Sequence, residues 1–240
     1  MADELNQTFE ERLQEIDAYL DLLEALERQV QVGAPVIGGT KVTVQQQRIL
    51  YSSVYLQLYN LIEATVSWCV NAVCDAACHQ GKWKPGDLNA KLLREWARHV
   101  ADTHKSLNDE KRLNNVVGLC EQLIGSHPIS NFSIARRSNW DDVEIENITA
   151  RLGCNLQISR PAMAGIKRPI RDDKGALSLI RDLRNRLGHG GISFAECGEG
   201  ATVPQLRDLK ERIANYLRDV VMSFSVYIRD HEFLQPTSRP

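Results

Sequence analysis

The stretch Leu183-Arg184-Asn185-Arg186-Leu187-Gly188-His189-Gly190-Gly191 closes a leucine-patterned segment on a run of glycines and sets an arginine and a histidine five positions apart. Upstream, Leu177, Ile180, Leu183 and Leu187 recur at three- or four-residue steps, which predicts a helix over 174–187 with one apolar arc. Arg184 falls inside that arc, four residues after Ile180 and three before Leu187. A cation aimed at an apolar face requires a partner, because an unpaired buried charge is strongly unfavourable. A guanidinium holds phosphate through a planar fork of donors, and an imidazole moves a proton near neutral pH. The pair therefore points to phosphodiester chemistry that needs no metal.

On a continuous helix His189 would lie about 140° round from Arg184, too far for both to act on one phosphate. Gly188, Gly190 and Gly191 permit a helix stop, and the expectation is a turn that brings the imidazole back toward the guanidinium. Similar spacings recur at Arg94 to His99 and Arg98 to His104. Arg94 and His99 lie in a charged helical segment without a glycine break and read as a solvated face. A structural alternative for the motif pairs Arg184 with Glu63, the lone carboxylate in the middle of an otherwise apolar helix, and leaves His189 to finish a helix end.

Outward from this stretch the chain reads as helices. Thr8-Phe9-Glu10-Glu11 resembles a capping box, followed by Phe9, Leu13, Ile16, Leu20, Leu23, Leu26 and Val30 as one apolar stripe. Residues 32–43 read as a glycine-bearing loop. A long helix over about 44–78 carries a broad apolar face, with Val54, Leu58, Leu61, Thr65 and Trp68 flanked by Ile62, Val66, Cys69 and Val73, and is expected at the centre of the fold. Further helices are expected over about 88–101, 109–124 and 141–152. Residues 127–140 read as a loop, and 154–171, with Pro161 and Pro169, as irregular structure with at most a short strand. A final helix over about 203–229 bears Leu206, Leu209, Ile213, Leu217, Val220, Phe224 and Tyr227 as a near-heptad seam, suited to an internal core or to a two-fold dimer. Strand signals are scarce, so the expected fold is an all-α bundle in one domain over 1–240, with the motif-bearing part over about 172–230.

The 240 residues are 43% hydrophobic and 25% charged, with a net charge of −2. A pI near 6.3 excludes a generally basic nucleic-acid coat. Charge is distributed unevenly. The first thirty residues carry Asp3, Glu4, Glu10, Glu11, Glu15, Asp17, Asp21, Glu24 and Glu27 against Arg12 and Arg28. Residues 160–186 are rich in Arg160, Lys167, Arg168, Arg171, Lys174, Arg181, Arg184 and Arg186, a local basic patch beside the motif. The acidic N-terminus lacks the pattern of a signal peptide, and the polar residues within 49–83 argue against a membrane span, so a cytoplasmic protein is expected. The cysteines Cys69, Cys74, Cys78, Cys120, Cys154 and Cys197 are expected as reduced thiols. Cys74, Cys78 and His79 lie close together but lack a further cluster to complete a zinc site, and no phosphate-cradling glycine loop is present, so no metal or cofactor is expected. Asp141, Asp142, Glu144 and Glu146 read as helix-start carboxylates, and His231 as an exposed residue without a role.

In order along the chain, Tyr59-Asn60-Leu61-Ile62-Glu63, Arg184-Asn185 with His189-Gly190, Ser193-Phe194 and the long final helix resemble the HEPN superfamily (higher eukaryotes and prokaryotes nucleotide-binding domains). The chain is most similar to the stand-alone MAE-like HEPN proteins of prokaryotic defence and toxin loci. The resemblance implies a helical bundle with additional helices that dimerises and brings two motif copies into a composite, metal-independent endoribonuclease site. It implies Arg184 and His189 as catalytic residues, with Asn185 as the polar residue after the arginine and Glu63 in support. Gly188 stands where many relatives carry alanine.

The expected activity is RNA cleavage by attack of the ribose 2′-hydroxyl, in a toxin or anti-phage effector. Lys167, Arg168, Arg171, Arg136 and Arg137 are candidate contacts to the RNA backbone. Expected partners are RNA, a second copy of the chain and an antitoxin or defence-system protein, with no membrane. The alternative is a non-catalytic helical binding or scaffold module.

Overall fold

The computed structural model describes residues 2–30, 33–102, 106–134 and 139–240. Among them are nine α-helices and one two-stranded hairpin, in the order α1 (Ala2–Val30), β1 (Val36–Ile37), β2 (Thr40–Lys41), α2 (Val44–Cys78), α3 (Ala90–Val100), α4 (Asp109–Ile124), α5 (Asp142–Leu152), α6 (Arg160–Lys167), α7 (Ala176–Gly188), α8 (Phe194–Cys197) and α9 (Val203–Arg229). The fold is all-α, as the patterning predicts.

Helix α2 is the axis, and α1, α7, α8 and α9 pack around it. Thr43 starts it through a reciprocal box: the Thr43 N–H donates to Gln46 Oε1 at 2.8 Å, and the Gln46 N–H donates to Thr43 Oγ1 at 3.2 Å. Its apolar face, Val54, Leu58, Leu61, Ile62, Val66, Cys69 and Val73, is buried, with Trp68 half-buried beside it. By length and composition α2 could cross a membrane, but most of its apolar window lies inside the fold. The α9 seam from Leu206 to Tyr227 is buried against α1 and α2, so it belongs to the internal core.

Charge explains the acidic first helix. Arg207 of α9 donates to Asp21 at 2.6 Å and Glu24 at 2.9 Å, Lys210 to Asp17 at 2.9 Å, and Arg218 to Glu10 at 2.8 Å. These pairs fix the register of α1 on α9. The largely exposed ones each contribute about 0–1 kcal/mol, so the apolar stripe carries the packing.

Several local expectations need correction. Helix α1 begins at Ala2 and not at Thr8, because the stripe extends one turn back to the buried Leu5, while Val30 at its end is exposed. The segment read as a loop over 32–43 holds a hairpin whose central Gly38 and Gly39, at φ 55° and 82°, adopt the mirror-image turn that suits paired strands. Within 154–171, α6 forms because Pro161 stands in its first turn, where a fixed φ and a missing N–H do no harm, and it buries Ala162 and Ile166. Pro169, just beyond its end, stops it. His231 is half-buried, edge-on to Trp83 at 6.0 Å between ring centroids.

Candidate functional site

Helix α7 lays Leu177, Ile180, Leu183 and Leu187 into the core, and Arg184 sits half-buried among them. Its partner is an aromatic face. The guanidinium carbon stands 4.5 Å from the centroid of the Tyr59 ring of α2, and Nη1 donates to Asn185 Oδ1 at 3.0 Å. No ion pair joins Arg184 to Glu63, which overturns the structural pairing left open by the sequence. Glu63, half-buried one turn along α2, lies within electrostatic reach of Tyr59 instead. A cation over a ring contributes about 0.5–2 kcal/mol, and unlike a carboxylate it leaves the charge and most of the five guanidinium donors uncommitted.

Tyr59 is fully buried, and burial pushes its phenol up, with the neighbouring Arg184 acting in the opposite direction. Its hydroxyl is hydrogen-bonded to the backbone of Trp140. Trp140 in turn precedes Asp141, which caps α5 by accepting from the Glu144 N–H at 2.9 Å and pairs with Arg181, one turn before Arg184 on α7. The ring beneath Arg184 is thus locked between α2, α5 and α7. Tyr59 has no role assigned by the motif pattern, and its signal in the sequence is its position four residues before Glu63 on one helix face.

His189 departs from expectation. Gly188 remains helical, and His189 is the C-cap at φ −101°, its N–H donating to the Asn185 carbonyl at 3.0 Å. The left-handed residue is Gly190, at φ 70°. The Gly190 N–H donates to the Leu187 carbonyl at 3.3 Å and the Gly191 N–H to the Arg186 carbonyl at 2.7 Å, the two bonds of a Schellman cap. The turn therefore follows the histidine instead of preceding it, and His189 stays about 140° round the helix from Arg184. The imidazole is exposed and has no hydrogen bond to Arg184. Within one chain the two motif side chains occupy different faces.

Of the expected RNA-contacting cations, Lys167 is the one engaged in an ion pair among the described residues. Lys167 pairs with Asp142, a hydrogen bond that holds its ammonium pKa above the usual range. Lys174 pairs with Asp182 at 2.9 Å, and Arg171 lies against Cys197 and Tyr55. Arg168 is exposed without an ion pair. Arg136 and Arg137 lie outside the described residues, as does His104. Among the described residues no group of three or more His, Cys, Asp or Glu is placed to hold a metal ion. The cysteines are free thiols, and burial raises Cys154 to about 12.

A model of the MAE_28990-like HEPN family matches residues 1–233, nearly the whole chain. No curated protein and no solved structure matches it. The chain belongs to the MAE_28990-like HEPN family.

Proposed function

We propose that this HEPN protein is a cytoplasmic, metal-independent endoribonuclease that works as a homodimer, in the role of a toxin or anti-phage effector. The observation that carries this reading is the state of the motif: Arg184 rests on Tyr59 with its charge unneutralised, and His189 is exposed and unpartnered on another face of α7. Each side chain is available, and a second copy related by a two-fold axis would supply the one that a single chain cannot bring to hand. A ribose 2′-hydroxyl attacks the adjacent phosphorus, and the bond to the 5′-oxygen breaks, leaving a cyclic phosphate and a 5′-hydroxyl. His189 of one copy takes the 2′ proton, water protonates the departing 5′-oxygen, and Arg184 of the other copy stabilises charge on the non-bridging oxygens. Asn185, whose side-chain Oδ1 already accepts from Arg184, sets the pose of the guanidinium.

The test is cleavage of mixed RNA in excess EDTA by the unmutated chain, His189→Ala and Arg184→Ala. General acid–base catalysis is worth about 10²–10⁴-fold, so both variants should fall by that order while chelation changes nothing. Equal cleavage by all three proteins, or loss on chelation alone, contradicts the mechanism.

One feature favours the second reading, a binding module. Helix α4 buries no residue and exposes Leu113, Val116, Val117, Leu123 and Ile124, an apolar stripe suited to a partner protein such as an antitoxin. Under that reading His189→Ala leaves RNA intact and cell growth unchanged, whereas charged substitutions at Val117 and Ile124 abolish complex formation.

A further inference from the structure

Between α3 and α5 lies a cavity of about 470 Å³ that shares no residue with the motif. Its size is that of a small-molecule site, which typically spans about 300–1,000 Å³. Lys91, Arg94 and Arg98 of α3 and Arg151 of α5 line it, against only two acids, Glu95 and Glu144. Glu95 is 4% exposed and already committed: Arg151 grips it in bidentate fashion, Nη2 to Oε2 at 2.6 Å and Nε to Oε1 at 3.2 Å, and Arg98 holds the same carboxylate. One buried carboxylate thus anchors two arginines and still leaves their combined charge positive. Lys91 and Arg94 are exposed and make no ion pair. The arginine whose spacing to His99 imitates the motif is one of these uncommitted cations.

The remaining lining is mixed, with Trp140, Ile148 and Ala150 as its apolar part and Asn147 as a polar one. Anchored guanidiniums beside unpaired cations suit a phosphate, and the flank of Trp140, Ile148 and Asn147 suits a base or sugar next to it. Trp140 also joins this cavity to the motif, since its backbone is hydrogen-bonded to Tyr59, whose ring carries Arg184.

We infer that the α3–α5 cavity binds a nucleoside phosphate. Its source is either one nucleotide of an RNA strand running on from Arg184, which rests on the endoribonuclease reading, or a free nucleotide, which does not. Two probes separate the sources: a fluorescein-labelled single-stranded oligoribonucleotide with 2′-O-methyl riboses, which cannot be cleaved, and ATP without added metal. Each is titrated against the unmutated chain, Lys91→Ala/Arg94→Ala, and Lys41→Ala as an exposed cation on the hairpin.

The double variant removes cations that bear no structural pair, so folding should survive, as circular dichroism can check. For an RNA source, oligonucleotide affinity falls about tenfold and the slope of log K against log salt flattens by about 1.4, the value for two lost phosphate contacts on a single strand. For a free nucleotide, ATP affinity falls about tenfold and oligonucleotide binding is unchanged. Equal affinities in the double variant, an equal loss in Lys41→Ala, or no saturable binding of either probe overturns the inference. Cavity-dependent binding in a chain that cleaves no RNA retains the site and rejects the nuclease. Cleavage that ignores the double variant, with neither probe's binding weakened, does the reverse.

Discussion

If Arg184 is seated on Tyr59 and not on Glu63, removing either side chain should couple in stability to the true partner alone. The measurement is a double-mutant cycle in urea, with Arg184→Met, Tyr59→Leu and Glu63→Gln as the single changes. Methionine keeps the unbranched stem of arginine among Ile180, Leu183 and Leu187 while removing the charge. The guanidinium carbon lies 4.5 Å from the ring centroid, inside the roughly 6 Å range of the cation–ring attraction. A half-buried site places the coupling between exposed and desolvated values, at about 0.5–2 kcal/mol for Arg184 with Tyr59. For Arg184 with Glu63, which form no ion pair, it should stay within the roughly 0.3–0.5 kcal/mol seen for independent sites. Tyr59→Phe separates ring from hydroxyl, because it retains the coupling while removing the hydroxyl, at about 1 kcal/mol per hydrogen bond lost. A coupling of 1 kcal/mol or more to Glu63, with none to Tyr59, would refute the seating of Arg184 and restore the structural ion pair.

Other outcomes follow from the same geometry. Gly188 is helical and an added methyl group there meets nothing within 4 Å, so Gly188→Ala should raise stability in urea by about 0.5–1 kcal/mol; Gly190→Ala, at φ 70°, should lower it by about 1 kcal/mol. The Glu196 carboxyl closes the α8 capping box and is held below its ordinary value by the Ser193 backbone N–H. Because a depressed carboxyl pKa stabilises above the unfolded value and loses that effect as pH falls through the folded one, the gap between the native chain and Glu196→Gln should shrink from pH 6 to pH 3; a gap that widens refutes the assignment. Mixing Arg184→Ala with His189→Ala should recover about a quarter of native cleavage, since half of the dimers are mixed and each holds one intact composite site. Recovery of none points to a site within one chain.

What the sequence made legible follows its periodicity. Helices α2, α4 and α9 match their expected spans because long apolar stripes and strong caps such as Thr43 and Asn108 agree with one another. The misses occur where one residue type has two meanings. Pro161 reads as a breaker but serves as a helix starter, and Gly188 reads as a break although the left-handed position is two residues later. Arg184 was legible as an inward-pointing cation, but its partner was not. Charge logic nominates Glu63, whereas the choice between a carboxylate and a ring depends on how α2 and α7 rotate against each other, which no local pattern encodes. The basic run over 160–186 misled for a related reason. Its cations were legible, but the carboxylates that neutralise Lys167 and Arg181 come from the start of α5, distant in sequence.

The position of the helix stop bears most directly on the proposed catalysis. A turn ahead of His189 would have folded the imidazole back over α7 and allowed a self-contained pair. A stop after it extends α7 by one residue, so the arginine faces the bundle and the histidine faces solvent at the very end of the helix. The Schellman bonds to Arg186 and Leu187 satisfy the last carbonyls and make that end rigid, which suits a group that must meet a partner surface without reorganising. Burial of the α9 seam sharpens the consequence: the longest apolar face of the C-terminal half is already used within the chain. Under the proposed function, the dimer that completes the site would form around the motif end of α7, and its affinity should respond to substitutions at Arg186 and Phe194, both exposed there, more than to any on α9.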